Sequence, residues 1–229
     1  MKKILTDKEA TFLREIMGLS EIDAEKKATN ERDKSLSETG KLYLETVEDL
    51  LEAIYKVNSK ILEHSFRVAE KCVEIAAELK FNVDEIKAIA FGSLLHDIGI
   101  IGIENDLLIR SERKWNKNEL AEYYKHTMFG KKIIEPIMSL RRIIPFIEKH
   151  HEYLNGTGHP NGLSEQEIPF EVRILTVVND FDMMSEAFPW GEKYSFDKCI
   201  ENIKSNAPTL YDSKVVEIFI GLEKRISNN

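Results

Sequence analysis

Six histidines dominate the chemistry open to this chain: His64, His96, His126, His150, His151 and His159. Asp97 follows His96 at the expected C-terminal end of an apolar helix, and His150 and His151 form a doublet before Glu152. Neutral imidazole offers a nitrogen lone pair at physiological pH and is the commonest metal ligand, while a carboxylate can bridge two cations. A helical His-Asp pair, a doublet and two histidines on other helices could together surround two ions. Any one of these histidines, such as His64 on an apolar helix, is more often a satisfied core residue, so it is the joint pattern that points to metal. His159 is the least specific of the six, because it sits in a Gly-Pro turn. The loop HHEYLNGTGHPNGL after the doublet contains Gly156, Gly158, Pro160 and Gly162, so its backbone must turn tightly and can approach a ligand closely.

The elements that must position these residues read as helices. Thr6 and Glu9 are spaced as a capping box before Phe12, Leu13, Ile16 and Met17, with Gly18 as the expected stop. From Ser20 to Gly40 the chain is rich in Glu, Lys, Asp and Ser and reads as a solvated helix or linker. Thr46 and Asp49 are expected to open a helix carrying Val47, Leu50, Leu51 and Ile54, and Phe66, Ala69, Cys72, Val73, Ala76 and Leu79 continue the pattern. Asn82 and Asp84 offer caps for a helix through Leu95, Asn116 and Glu119 for one through Tyr123 and Tyr124, and Val215 to Leu222 suggest a last one. RILTVV at 173–178 could pass for a strand, but no alternating partner or hairpin turn accompanies it. The expected fold is all-α: a short helical extension and linker over 1–45, and one helical domain over 46–229.

Composition narrows the function. The 229 residues are 42% hydrophobic and 31% charged, enough for one sizeable core. Thirty-two basic against 40 acidic residues give a net charge of -8, which argues against a general electrostatic grip on DNA or RNA polymers. No run of about 18 uncharged apolar residues occurs and the N-terminus is charged, so neither secretion nor membrane spanning is expected, and the expected location is the cytoplasm. Cys72 and Cys199 are too few for a disulfide framework or a cysteine zinc site and read as buried thiols.

His64 in EHSFRVAE, HDIG at 96–99, His126 in HTMFG and the HHEYLNGTGHPNGL block followed by EIPFEVRIL together resemble the HD-GYP branch of the HD phosphohydrolase superfamily. The resemblance runs from about residue 60 to 220. It implies an HD-domain helical bundle whose two divalent metal ions, iron or manganese, hydrolyse cyclic di-GMP to linear pGpG or GMP. Carried over, His64, His96 and Asp97 would hold one metal, and Asp97 would bridge to a second held by His126, His150 and His151, with His96 and Asp97 at the catalytic centre. Two such cations lower the pKa of a bridging water and stabilise charge on the phosphoryl oxygens. Gly156, Gly158, His159 and Lys193 are the candidate substrate contacts.

The sequence also departs from that pattern. Gap-free counting places Asn179 where the last metal-binding aspartate is expected, with Asp182 on the second aspartate of the same block. The amide oxygen of Asn179 can coordinate but carries no charge, and Asp180 could replace it only through a one-residue shift of the helix. Ile100, Phe188 and Gly191 stand where basic phosphate contacts are expected, His159 replaces the signature tyrosine, Asn155 replaces an aspartate and Lys60 a third-metal glutamate. Between Arg110 and Lys149 the chain is rich in lysine and arginine, Lys117 and Lys125 among them; such charges usually form a solvated face, and a substitute phosphate contact is the alternative. Two functions follow from different classes: a phosphodiesterase for a cyclic dinucleotide, or a catalytically degenerate signalling module that binds nucleotide or protein without turnover. The N-terminal helix is a candidate homodimer element.

Overall fold

The computed structural model describes residues 4–25, 38–104, 107–108, 115–186 and 193–227. Among them nine α-helices follow in order: α1 (Asp7–Glu25), α2 (Glu38–Val57), α3 (Ser59–Glu78), α4 (Val83–Leu95), α5 (Lys117–Ile134), α6 (Ile144–Lys149), α7 (Phe170–Glu186), α8 (Phe196–Ser205) and α9 (Ser213–Ser227). Short 3-10 turns at Ile98–Gly102, Met138–Ile143 and Glu165–Glu167 complete the described structure. No strand occurs among the described residues, and RILTVV lies inside α7.

Local signals set several helix starts. Thr6 and Glu9 bond reciprocally at the head of α1, and Asn82 with Glu85 and Asn116 with Glu119 form complete capping boxes on α4 and α5. Two expectations need correction. Helix α1 does not stop at Gly18 but runs on to Glu25; a glycine inside a helix costs only about 1 kcal/mol relative to Ala and does not by itself end one. Helix α2 starts at Glu38, not Thr46, whose hydroxyl bonds the carbonyl of Leu42 one turn back instead of capping. Residue 45 thus lies inside α2, and part of the charged 20–40 segment, residues 26–37, falls outside the described residues.

The core is one continuous cluster. Helix α4 is its axis: Ile89, Ala90, Phe91, Gly92, Ser93, Leu94 and Leu95 are all buried, so this helix is apolar around most of its circumference. It packs on α3, which offers Phe66, Ala69, Cys72 and Ala76; α7 lies across both, and α1 adds Ala10, Leu13, Ile16 and Met17. Cys72 and Cys199 are buried free thiols, and burial pushes that of Cys72 up to about 12. No described helix is long and apolar enough to cross a membrane.

Candidate metal centre

The buried end of α4 sets the site. His96 caps this helix, and Asp97 leaves it at φ -95°, ψ 11° to start the 3-10 turn Ile98–Gly102. That turn lies directly on α5: a Cβ added to Gly99 would fall 1.8 Å from the carbonyl oxygen of His126. Only glycine allows this approach, which brings Asp97 to His126. The histidine-bearing faces of α3 and α5 and the end of α6 complete the enclosure. His64, His96, His126, His150 and Asn179 are at most 1% exposed, Asp97 2% and His151 6%.

Two groups of ligand-type atoms share Asp97. His64, His96 and Asp97 form one, and Asp97, His126, His150 and His151 the other, each with its atoms within 4.8 Å of one another. In the first, His64 Nε2 lies 3.3 Å from His96 Nε2 and 3.1 Å from Asn179 Oδ1, and His96 Nε2 lies 3.2 Å from Asp97 Oδ2. In the second, His126 Nε2 lies 3.2 Å from His150 Nε2 and 3.2 Å from Asp97 Oδ1. Donor atoms on a sphere of ~2.1 Å around one cation would stand about 3.0–3.4 Å apart, the spacing found here.

The outward ring nitrogens fix the proton positions. Nδ1 of His96 donates to the carbonyl of Ser93 at 2.6 Å, Nδ1 of His126 to that of Tyr123 at 2.7 Å, and Nδ1 of His150 faces the carbonyls of Phe146 and Ile147 at 3.1 Å. A carbonyl only accepts, so these rings turn their Nε2 lone pairs inward. His64 Nδ1 instead donates to Asp182 Oδ2 at 2.6 Å, and Arg67 grips both oxygens of that carboxylate at 2.8 Å. Asp182 was placed in the sequence by register alone; its partner Arg67 was missed, although one turn after His64 it had to share that helical face.

The electrostatics need a cation. Lone pairs facing each other at 3.2 to 3.3 Å repel unless a proton or metal ion lies between them. Asp97 Oδ1 and His151 Nε2 are buried without a hydrogen bond, although two imidazoles lie within 3.6 Å of that oxygen. Burial opposes the charged form of Asp97, yet the imidazoles of His96, His126 and His150 hold it well below the usual carboxylate range. Burial lowers His150 to about 4 and, with the neighbouring imidazoles, drives His151 well below the ordinary value, leaving both neutral as ligands must be. The donor set fits divalent metal.

Asn179, not Asp180, faces the first group. Both phenols of Tyr153 and Tyr211 donate to Asp180 Oδ2 at 2.9 Å, which commits that carboxylate elsewhere without any shift of α7. The side chain of Ile100 is buried in the core, and Lys60 is exposed on α3. The exposed Lys193 pairs with Glu186 at 3.6 Å, at the end of α7. Phe188 and Gly191 lie outside the described residues, as do Arg110, Arg113 and Lys114.

The glycine loop is tied to the doublet by Glu152, a role its sequence position did not disclose. Its buried carboxylate accepts from the amides of Asn161 at 2.7 Å and Leu163 at 2.9 Å, and His159 N bonds His151 O at 2.9 Å. Gly158 lies so close to this strand of loop that a Cβ would meet the Tyr153 amide nitrogen at 2.4 Å, while Gly156 turns the loop at φ +77°. Both glycines thus shape the loop that carries His159, whose ring stacks on Tyr124 at 4.1 Å. Tyr124 in turn meets His151 edge-on at 5.0 Å.

Fold and site together define an all-α domain with a buried histidine/aspartate centre able to hold divalent metal. A family model described as HD domain matches residues 45–215. Among curated proteins, the chain is 30% identical over 205 residues to a cyclic di-GMP phosphodiesterase of Thermotoga maritima, covering 84% of this chain and 55% of that protein. It is 29% identical to the 3'3'-cGAMP-specific phosphodiesterase 3 of Vibrio cholerae, over 72% of this chain and 35% of that one. The chain thus spans from about a third to just over half of the length of these relatives. Among solved structures, it superposes on Bd1817, an HD-GYP-type protein of Bdellovibrio bacteriovorus, with a TM-score of 0.60 at 19% identity, covering 72% of this chain and 52% of that one. It also superposes on the HD domain of the L. monocytogenes phosphodiesterase PgpH bound to cyclic di-AMP, with a TM-score of 0.58 at 16% identity, covering 79% of this chain and 98% of that domain. The chain belongs to the HD-domain family.

Proposed function

We propose that this chain is a metal-dependent phosphodiesterase that hydrolyses a cyclic dinucleotide, cyclic di-GMP first, to linear pGpG or GMP. One observation carries the proposal: two buried ligand groups meet on Asp97, whose Oδ1, like His151 Nε2, is buried without a hydrogen bond among facing imidazoles. We assign His64, His96, Asp97 and Asn179 to one ion and Asp97, His126, His150 and His151 to the other, iron or manganese in each. Such ions, when bound, acidify water and offset charge on the phosphoryl oxygens. The chain's part is to hold neutral imidazoles in fixed tautomers, to share one carboxylate, and to keep bulk water out of the buried centre. Three neutral donors on each side of a single carboxylate leave the loaded centre strongly cationic, which suits an anionic phosphodiester.

The names of the relatives in Thermotoga and Vibrio support the substrate class. A homodimer through α1 would have to use the outer face of that helix, because Ala10, Leu13, Ile16 and Met17 are buried in the chain's own core. The neutral Asn179 favours the second reading, a module that binds without turnover.

The test is anaerobic incubation of iron- or manganese-loaded protein with cyclic di-GMP and with 3'3'-cGAMP, with chromatography of the products. Linear pGpG or GMP that disappears on changing Asp97→Ala is expected. Intact cyclic dinucleotides, with another phosphoester cleaved, would reject the substrate; nucleotide binding without turnover in either metal would establish the binding module.

A further inference from the structure

Helices α1 and α3 meet through the edge-on ring pair Phe12–Phe66, and Lys8 bridges them to Glu70 at 2.6 Å. Beside this contact a groove of about 920 Å³ runs from Asp7 to Gly18, about 16 Å of helix or three turns. Its floor is apolar, formed by Phe12, Ile16 and Val73. Its rim is acidic: Asp7 and Glu15 on α1 and Glu70 and Glu74 on α3 stand against Lys8 in the lining. Lys8 is committed to Glu70, and the neighbouring Lys71 is shared by Glu74 at 2.7 Å and Glu223 at 2.8 Å, so the carboxylates stay in excess. At the far end lies Gly18, where a Cβ would meet nothing within 4 Å. The chain's own packing therefore does not require glycine there, although glycine costs a helix interior about 1 kcal/mol relative to Ala. Helix α1 also precedes the residues 45–215 that the family model matches, so the groove is formed with an element outside that match.

We infer that this groove docks a basic amphipathic helix of another protein, with its apolar side on Phe12, Ile16 and Val73, its lysines or arginines against the rim carboxylates, and its backbone passing close over Gly18. A helix laid between two helices puts apolar residues at i, i+3, i+4 and i+7 on the floor, while the residues flanking that stripe reach both rims. Charge selects the occupant. A second copy docked about a two-fold axis would set Asp7 and Glu15 against their own like, whereas a cationic helix neutralises the excess. Gly18 gains a purpose as well, since the missing side chain leaves room for a foreign backbone. None of the lining residues belongs to the metal centre, so the inference stands whichever function that centre has.

The test uses the full chain and a labelled peptide of roughly 18 residues, long enough to form a helix, with leucines at the i, i+3, i+4 and i+7 spacing and lysines flanking them. A counterpart with glutamates for the lysines is the charge control. Fluorescence anisotropy compares the parent with Glu15→Lys/Glu74→Lys, with Gly18→Gln, and with Glu201→Lys/Glu217→Lys, an equal charge reversal at exposed residues of α8 and α9; Glu15 and Glu74 are likewise exposed. We expect the basic peptide alone to bind, both groove variants to weaken it about tenfold, and the remote reversal to stay within about twofold. A benzophenone placed on Thr11→Cys, at the groove's edge, reports the occupant, because the native Cys72 and Cys199 are buried. It should capture the basic peptide, and the capture should be lost with Glu15→Lys/Glu74→Lys. Absence of peptide binding, equal weakening by the groove and remote reversals, or equal binding of the acidic peptide would overturn the inference. Cross-links only to a second copy, or only within the chain, would assign the groove to the chain itself and overturn it too.

Discussion

The two halves of the histidine cluster are built by different means. His126 and His150 are aimed by main-chain carbonyls of their own helices, and they come from neighbouring stretches of chain joined by the packing of α5 on α6. In the other half His96 too is aimed by a carbonyl of its own helix, that of Ser93, but His64 and Asn179 come from α3 and α7, helices distant in sequence, and His64 is aimed by a side chain, Asp182, that Arg67 clamps in turn. A substitution can delete a carboxylate but not a carbonyl. The half around His64 is therefore the one that single changes away from the ligands can loosen or tighten, and the half around His126 is fixed by the fold itself. Asn179 sharpens the contrast: without an aspartate at that position the first half has no charge of its own beyond its share of Asp97.

The largest effect should come from the residue that erases the contrast. Asp97→Ala removes the shared ligand, so both halves should empty, metal content should fall to near zero and hydrolysis should drop by roughly a thousandfold or more. Next, Asp182→Asn leaves every proposed ligand in place but replaces the acceptor of the His64 proton. Affinity at the first half should weaken by about 10- to 100-fold, seen as one ion lost on dialysis against a mild chelator while the other stays; equal loss of both ions would show that the halves do not differ in the way described. Asn179→Asp should act in the opposite direction, tightening the first half by about tenfold through its added charge, measured in the same dialysis. Smallest, Tyr211→Phe removes one of two phenols from Asp180 and should cost about 1 kcal/mol in denaturant melts with metal content unchanged. A change in metal content in that variant would mean that the Asp180 clamp does more than hold α7.

Much of this contrast was legible in residue order. The histidine pattern pointed to the cluster, cap residues at Asn82 and Asn116 pointed to the starts of α4 and α5, and register put Asn179 in line with the first group. What stayed hidden depends on contacts that no local pattern encodes. That α1 runs on past Gly18 and that α2 begins at Glu38, about two turns ahead of Thr46, carry no capping signal in the local pattern. The need for glycine at 99 appears only once the turn after Asp97 is laid on α5, and the clamp on Glu152 only once the loop folds back over it. Asp180 looks like an alternative ligand until Tyr153 and Tyr211 arrive from elsewhere in the chain to occupy it.

The most direct measurement is the metal content of the chain purified without air and without chelator, by elemental analysis, beside that of Asp97→Ala. Two equivalents of iron or manganese in the parent and none in the variant are the predicted result. One equivalent or none in the parent after anaerobic loading with either metal, or metal retained in Asp97→Ala, would contradict a centre of two ions built on that aspartate.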